Sequence, residues 1–229
     1  MGRTLHKALL LIAVTVALPL QAAAGTAPRP SSAQGDRAPV PMPPDFACPS
    51  PEEADSPAEL LNHPARAWSF DRWLRSRPLS QESLRGKVVL IRWFTEGCRY
   101  CRTTLPEIEA LRTRYGARGL VVIGVFHPKP RRHLSDAHIL AVANDLGFGG
   151  PIAVDERWST LERWWLNGHP ERNWTSVSFL IDTEGVVRWA HSGGEYHPST
   201  DPRHAICAAQ AAELEDRIRE LLAIASASR

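Results

Sequence analysis

The amino-acid sequence predicts an α/β fold in which a mixed central β-sheet carries helices on both faces. Two short apolar runs rich in β-branched residues, 87–94 and 119–126, are typical of strands covered on both faces. Between them, residues 101–115 carry leucine and isoleucine at helical spacing, and Gly116 follows as a stop signal. Strand, helix and strand within about 40 residues form a βαβ unit, whose crossover we expect to be right-handed.

The following segment continues the alternation of helix and strand. Ser135 is a good N-cap for a helix that reaches Leu146 and stops at Gly147. Residues 151–155 form a short apolar run that predicts a strand, and residues 156–165 predict another helix. This alternation is the pattern expected of an α/β domain.

The last third of the chain predicts a hairpin and an extra C-terminal helix. Residues 176–182 and 186–191 alternate between apolar and polar side chains, and Gly185 lies in the turn between them. Residues 201–225 carry apolar side chains along one helical stripe. The stripe consists of Cys207, Ala211, Leu214, Ile218 and Leu221.

The first 58 residues differ in composition from the rest. Residues 1–24 place basic, apolar and small residues in the order of a secretory signal peptide, with cleavage expected after Ala24. An uncleaved N-terminal anchor is the alternative, although the apolar run is shorter than the roughly 20 residues that a membrane span needs. Residues 25–58 are rich in proline, alanine and serine and predict a flexible linker. The folded domain is then expected over residues 59–229.

Charge and export together restrict the expected partners. The chain has 27 basic and 25 acidic residues, and loss of Arg3 and Lys7 with the signal leaves 25 of each. A neutral protein has no electrostatic attraction to nucleic acid or to an acidic membrane surface. We therefore expect a periplasmic or secreted protein with no nucleic-acid partner and no stable membrane insertion after signal removal.

Four cysteines are available for chemistry, namely Cys48, Cys98, Cys101 and Cys207. Disulfides persist outside the cytosol, and four cysteines allow three pairings. Cys98 and Cys101 form a C-x-x-C pair, which could be a redox pair, half of a metal site or two buried thiols. Cys48 could pair with Cys207 or remain free.

The residues around the C-x-x-C pair resemble those of thioredoxin-like proteins that bacteria export. The stretch LRGKVVLIRWFTEGCRYCRTTLPEIEALRTRYGARGLVVIGV is similar to the TlpA and ResA type, and especially to the thioredoxin-like domain of the DipZ type. The similarity continues through GFGGPIAVDERWSTLERWW and FLIDTEGVVRWAHSGGEY, so that it covers about residues 67–196. It implies a thioredoxin-like fold and a thiol:disulfide oxidoreductase whose pair cycles between dithiol and disulfide.

The resemblance also implies roles for individual residues. Cys98 is expected to be the attacking nucleophile and Cys101 the resolving thiol, with no metal and no cofactor. The expected partners are disulfide-containing or dithiol proteins, together with a membrane electron donor. Residues expected to tune the thiolate or to line the substrate groove are Glu96, Arg99, Tyr100, Thr175 and Ser176.

Electrostatics gives an independent reason for a reactive Cys98. The residue lies where the chain leaves a strand and enters a helix, so its sulfur should meet the unpaired N–H groups of the helix N-terminus. An ordinary cysteine, with a pKa of about 8.5, is only about 3% thiolate at pH 7. A pKa two units lower makes about three-quarters thiolate, at a cost of about 2.7 kcal/mol. The adjacent Arg99 adds favourable positive charge.

Four positions depart from the family pattern. Gly97 replaces the tryptophan that usually precedes the first cysteine, which predicts a partner surface that is more open or differently shaped. Arg92 stands where thioredoxin has a buried acid, and an arginine cannot accept a proton. Thr104 replaces the buried glutamate of the ResA type. Ser176 occupies the position of the family's cis-proline, which faces the thiols and keeps metals away from them.

Other functions use the same residues. A metal-handling module for copper or zinc is possible because two thiols three apart have the spacing of half a metal site. The histidines from His127 onward look scattered along the chain, and His127 and His191 at strand ends are the first to test. A thiol peroxidase is a weaker alternative, since Thr95 and Cys98 repeat a T-x-x-C motif. A domain that only binds a partner is the last alternative.

Overall fold

The computed structural model describes Cys48 and residues 57–227, whereas the predicted signal peptide and nearly all of the predicted linker lie outside the described residues. The strands are β1 (Arg72–Leu74), β2 (Val88–Phe94), β3 (Leu120–Phe126), β4 (Ile152–Val154), β5 (Ser178–Ile181) and β6 (Val187–His191). The helices are α1 (Cys101–Tyr115), α2 (Asp136–Asp145), α3 (Ser159–Leu161) and α4 (Ala205–Ala227).

The sheet is mixed, as the sequence predicts. Its strand order is β1-β4-β3-β2-β5-β6. The strands β2, β3 and β4 are parallel neighbours, whereas β5 pairs antiparallel with β2 and with β6, and β1 pairs antiparallel with β4. All seven residues of β2 are buried, as expected for a central strand covered on both faces. The predicted α/β class, with a mixed sheet and an extra C-terminal helix, is therefore confirmed.

The predicted hairpin is confirmed as β5 and β6, and Gly185 in its turn has a φ of 82°. Strand β1 was not predicted from the sequence. This strand has three residues, and only Leu74 among them is buried. A run this short carries no readable alternation, and its partner β4 is distant in sequence.

The predicted helices α2 and α4 are confirmed. The hydroxyl of Ser135 accepts a hydrogen bond from the backbone N–H of His138 and so caps α2, as the sequence predicts. The apolar stripe of α4 is buried along its whole length. Among the described residues, no helix combines the length and the apolar character that a bilayer crossing requires.

The single helix predicted for residues 156–165 is wrong. Trp158 has a φ of 62°, which is incompatible with a helix, and the α-helical turn α3 begins only at Ser159. Asp155 determines this start because its carboxylate accepts the backbone N–H groups of Thr160 and Leu161. The chain then continues as a π-helical turn, Glu162–Leu166, which contains two adjacent buried tryptophans.

Two apolar cores lie on opposite faces of the sheet, because successive residues of a strand point to opposite sides. On one face, Leu90 and Phe94 of β2 belong to a cluster with residues of α1, α2 and α4. On the other face, Ile91 and Trp93 pack among aromatic residues that include Trp164. The indole of Trp93 lies 5.8 Å from that of Trp164, measured between ring centroids.

Leu214 tests how far stability depends on α4. Its side chain is fully buried against the sheet, so truncation to alanine leaves a cavity. We expect Leu214→Ala to lower the free energy of unfolding by about 2–5 kcal/mol in a denaturant titration. The exposed neighbour is the matched control: Glu213→Ala should change it by no more than about 0.5 kcal/mol. Equal effects of the two variants would contradict the packing of α4.

Candidate active site

The C-x-x-C pair lies between the end of β2 and the start of α1. Six residues separate Phe94 from Cys101, the first residue of α1. They make the turn that carries Cys98, and a disulfide joins the two cysteines across a Cα–Cα distance of 5.3 Å. Cys101 is fully buried, whereas Cys98 is partly exposed. Only Cys98 is therefore accessible to a second protein.

The sulfur of Cys98 lies at the N-terminus of α1. The backbone N–H of Cys101 points to this sulfur, with a nitrogen–sulfur distance of 3.2 Å, and also to the carbonyl of Cys98. The first N–H groups of a helix lack partners within the helix and carry partial positive charge. A contact of this kind favours a thiolate over a neutral thiol.

Gly97 gives the turn before Cys98 its shape. Its φ is 66°, in the left-handed region that favours glycine. A Cβ at this position would meet nothing within 4 Å, so the backbone conformation, and not lack of space, accounts for the glycine. The structure thus gives a physical reason for the departure from the tryptophan of the family.

Ser176 contacts both sulfurs. Its hydroxyl oxygen lies 3.4 Å from the sulfur of Cys98 and 3.5 Å from that of Cys101. Ser176 is buried and comes two residues before β5, which pairs with β2. The position that carries proline in the family therefore carries a hydroxyl here, which can donate a hydrogen bond to a thiolate.

The other residues predicted to tune the thiols face different partners. Glu96 forms an ion pair with Arg132, and its second oxygen lies 2.8 Å from Nε2 of His138. The hydroxyl of Thr175 lies 2.9 Å from Nε2 of His127. Of Glu96, Thr175 and Ser176, it is therefore Ser176 whose side chain reaches the sulfurs.

Arg99 and Tyr100 form a pair between the two cysteines. The guanidinium of Arg99 donates to the phenolic oxygen of Tyr100 at 3.1 Å and lies over its ring, 4.9 Å from the centroid. Trp174 meets the same ring edge-to-face at 5.2 Å. The aromatic surface beside the thiols therefore comes from Tyr100 and Trp174. The sequence pattern gives no sign of this role for Trp174, since the residue lies 73 positions beyond Cys101.

Arg92 is fully buried beneath the site. It donates to the hydroxyl of Ser178 at 3.2 Å and to the carbonyl of Gly194 at 2.8 Å. Burial lowers its pKa to about 10, against the opposing influence of Tyr196 and Glu195. Arg92 therefore stays cationic at neutral pH, where thioredoxin carries an acid. An arginine in an otherwise apolar strand was the available sequence signal for buried polar partners, which are here the hydroxyl of Ser178 and the carbonyl of Gly194.

His127 and His191 are buried and neutral. Burial lowers the pKa of each to about 3, and nearby cations act in the same direction. They do not share a ligand cluster, because His127 faces Thr175 and His191 faces Gln210. The expectation of scattered histidines is wrong for His197 and His204, because a loop and a 3₁₀ turn bring their rings within 5.1 Å.

A family model described as the AhpC/TSA family matches residues 64–190, more than half of the chain. The chain belongs to the AhpC/TSA family. The residues that this family model covers include Cys98, Cys101 and Ser176, whereas Cys48 and Cys207 lie outside them.

Curated relatives of this AhpC/TSA chain include named thiol-disulfide oxidoreductases. Protein DipZ of Mycobacterium tuberculosis is 34% identical over 129 residues, which are 55% of this chain and 18% of DipZ. The thiol-disulfide oxidoreductase YkuV of Bacillus subtilis is 22% identical over 122 residues, 53% of this chain and 78% of YkuV. The thiol-disulfide oxidoreductase ResA of Bacillus anthracis is 23% identical over 114 residues, 50% of this chain and 60% of ResA. The resemblance to the DipZ and ResA type is confirmed.

Solved structures confirm the thioredoxin-like fold. A thiol-disulfide isomerase from Corynebacterium glutamicum superposes with a TM-score of 0.51 at 21% identity, covering 69% of this chain and 96% of its own. A thioredoxin-like protein in its oxidized form gives a TM-score of 0.53 at 22% identity, covering 71% and 96%. Within the α/β class predicted from the sequence, the fold is therefore the thioredoxin-like fold.

The neutral His127 predicts a pH-dependent stability. In the unfolded chain a histidine binds a proton as the pH falls below about 6.5, whereas folded His127 resists protonation until about pH 3. The folded state therefore loses stability as the pH falls through this window. In urea titrations, wild type should lose about 1 kcal/mol more than His127→Gln between pH 7 and pH 5.5.

The exposed His63 provides the control for the substitution itself. We expect His63→Gln to stay within about 0.5 kcal/mol of the wild-type curve, as surface substitutions usually do. A His127→Gln variant with the same pH dependence as wild type would contradict the burial of a neutral ring.

Proposed function

We propose that this protein is an exported thiol:disulfide oxidoreductase that exchanges disulfides with partner proteins through Cys98 and Cys101. The observation that carries the proposal is the asymmetry of the pair. Cys98 is partly exposed and its sulfur lies at a helix N-terminus, while Cys101 is fully buried and forms a disulfide with it. A nucleophile and a resolving thiol require this arrangement.

The reduced pair acts in two steps. The Cys98 thiolate attacks one sulfur of a partner disulfide, the partner S–S bond breaks, and the departing sulfur leaves as a thiolate that takes up a proton. Cys101, after losing its proton, then attacks the sulfur of Cys98 in the mixed disulfide. This step closes the Cys98–Cys101 bond and releases the partner with two thiols. Two electrons pass to the partner, and the reverse sequence oxidises a partner dithiol.

The surroundings of the sulfurs support this chemistry. The Ser176 hydroxyl lies within 3.5 Å of both sulfurs, so it can donate to whichever sulfur carries the charge. A shallow cleft beside Cys98 offers a place for the polypeptide of a partner. The cleft is lined by Gly97, Cys98, Arg102, His138, Val142 and Leu146.

Export and re-reduction belong to the same proposal. Residues 1–24 have the composition of a secretory signal and residues 25–58 that of a flexible linker, which would place the folded domain in the periplasm or outside the cell. A protein that gives two electrons to each partner needs a donor. We include a membrane-bound dithiol donor on the same side of the membrane.

The alternatives at the same thiols have less support. A peroxidase of the T-x-x-C type uses an arginine where this chain has Ser176. The buried Arg92 does not replace that arginine, because its guanidinium is hydrogen-bonded to Ser178 and to the carbonyl of Gly194. A metal held by Cys98 and Cys101 needs further ligands. Among the described residues, the side chain that contacts both sulfurs is the hydroxyl of Ser176, which is a poor ligand for copper or zinc.

Substitution of the resolving thiol tests the mechanism. In Cys101→Ser, the mixed disulfide on Cys98 is no longer resolved, so the variant should accumulate covalent complexes with partner proteins on non-reducing gels. Cys98→Ser, the matched control, should accumulate none, because Cys101 is buried. Wild type should reduce insulin disulfides, and both variants should lose this turnover. Complexes trapped by Cys98→Ser and absent from Cys101→Ser would reverse the assigned roles.

Ser176 has its own expected effect on the reactivity of Cys98. A hydrogen bond to a charged acceptor contributes about 1.5–3 kcal/mol, so its loss reduces the thiolate fraction. We expect Ser176→Ala to slow alkylation of reduced Cys98 by iodoacetamide at pH 7 by about three- to tenfold. Ser176→Thr keeps the hydroxyl and should retain most of the wild-type rate. An unchanged rate in Ser176→Ala would exclude the hydroxyl from thiolate stabilisation.

A further inference from the structure

A second group of potential ligands lies outside the residues that the family model covers. Cys48 and Cys207 form a disulfide with a Cα–Cα distance of 5.9 Å, one of the pairings that the sequence leaves open. Glu195, His197 and His204 surround this disulfide. One ligand atom from each of these five residues lies within 4.8 Å of all the others. We call these five residues the second cysteine cluster.

The cluster contains polar atoms that the disulfide alone does not explain. Glu195 is 1% exposed, and its Oε1 has no hydrogen-bond partner among the described residues. Nε2 of His197 is likewise buried and unpartnered within that part of the chain. A buried polar atom without a partner costs about 1–3 kcal/mol. If the Cys48–Cys207 disulfide served only to link Cys48 to α4, it would need neither the carboxylate of Glu195 nor the two imidazoles beside it.

The orientation of His197 is that of a metal ligand. Its Nδ1 donates to the backbone carbonyl of Pro198 at 3.0 Å, which leaves the lone pair of a neutral ring on Nε2. Nε2 points toward Glu195, whose Oε2 lies 4.0 Å away. Histidines that bind metals usually donate their other ring N–H to a carbonyl or a carboxylate in this way.

The remaining members face the same point. Nδ1 of His204 lies 3.5 Å from the sulfur of Cys48 and 4.0 Å from Oε1 of Glu195. The carboxylate of Glu195 is oriented by the hydroxyl of Thr103, which donates to Oε2 at 2.6 Å. Ligands around a tetrahedral zinc ion are separated by roughly 3.3–3.8 Å, from bond lengths of about 2.0–2.3 Å. The ligand atoms of the cluster, which lie within 4.8 Å of one another, would therefore need to move together only slightly, and the disulfide would need to open.

We propose that Cys48, Cys207, His197 and His204 bind a divalent metal ion of the zinc class when the Cys48–Cys207 disulfide is reduced, with Glu195 beside the ion. Two thiolates and two imidazoles are a preferred ligand set for zinc, and the thiolates neutralise its charge. The disulfide form offers no thiolate and does not hold the ion. The proposal uses neither Cys98 nor Cys101, so it stands independently of the proposed disulfide exchange.

The redox step is balanced by an external dithiol. The dithiol gives two electrons and two protons, its two sulfurs join in a disulfide, and the Cys48–Cys207 bond opens to two thiols. Binding of the ion then displaces two protons, one from each thiol, and forms two metal–sulfur bonds. Oxidation of the thiolates by a disulfide of suitable potential reverses the sequence and releases the ion.

The test uses the full chain with Cys98→Ser and Cys101→Ser, so that Cys48 and Cys207 are its only thiols. The chain is reduced with a phosphine, which is oxidised as the disulfide opens, and is then exchanged into reductant-free anaerobic buffer. After a thiol count, it is titrated with Co²⁺ and with Zn²⁺. We expect one ion per chain, with thiolate-to-cobalt charge transfer and the visible bands of a tetrahedral Co²⁺ site. The oxidised chain should bind neither ion.

Histidine variants assign the ligands. Loss of a residue that only hydrogen-bonds to a metal ligand can weaken metal binding by up to about 100-fold. Loss of a ligand itself should weaken it at least as much, so we expect His197→Ala and His204→Ala each to lower the affinity for the ion by about 100-fold or more. The matched control is His169→Ala, because this ring is also partly buried but pairs with Glu171 outside the cluster. His169→Ala should bind like its parent.

Several outcomes would overturn the proposal. These are a disulfide that the phosphine does not open in the folded chain, a reduced chain that binds no ion, and equal binding by the reduced and oxidised chains. Unchanged affinity in both histidine variants would also do so. If a histidine variant fails to fold, the test rests on the cobalt spectrum of the parent chain, which carries Cys98→Ser and Cys101→Ser. A spectrum without thiolate-to-cobalt charge transfer would exclude Cys48 and Cys207 as ligands.

Discussion

The central strand β2 is the constraint on which the candidate active site depends. It is hydrogen-bonded to β3 on one side and to β5 on the other, and its side chains are buried on both faces. The chain can therefore leave the sheet only at Phe94, beside the end of β3. The turn that follows has room for Cys98 before α1 begins, and packing of α1 on the sheet directs its N-terminus toward that cysteine. The same pairing with β5 brings Ser176 to the sulfurs.

Buried charge connects this site to the rest of the molecule. Arg92 occupies β2 where an apolar residue would suffice for packing, and its guanidinium donates to Ser178 and to the loop after β6. That loop also carries Glu195, whose carboxylate accepts from Thr103 in the first turn of α1. The two disulfides are thus joined through a short chain of contacts, because Glu195 touches the turn that starts at Cys101 and borders the Cys48–Cys207 pair.

The sequence was sufficient to predict a strand or helix wherever the burial of its own apolar side chains determines that element. The apolar runs of β2 and β3 and the stripe of α4 predict these elements because burial alone determines them. Prediction failed where a local side-chain cap or a strand partner that is distant in the chain determines the element. Asp155 caps a turn at Thr160 and Leu161, so the helix expected from residue 156 starts later, and three-residue β1 depends on pairing with β4 for its existence.

By itself, the sequence determined the α/β class, the βαβ unit, the C-x-x-C pair at a strand-to-helix junction and the glycine before it. These features follow from local periodicity and from backbone preferences that act within a few residues. Only the tertiary structure decided that Ser176 and not Glu96 meets the sulfurs, that Cys48 pairs with Cys207, and that His197 and His204 converge on that pair. The physical reason is that strand pairing and loop closure bring together residues that are far apart in the chain. The local sequence pattern around a residue does not indicate which distant residue it will contact.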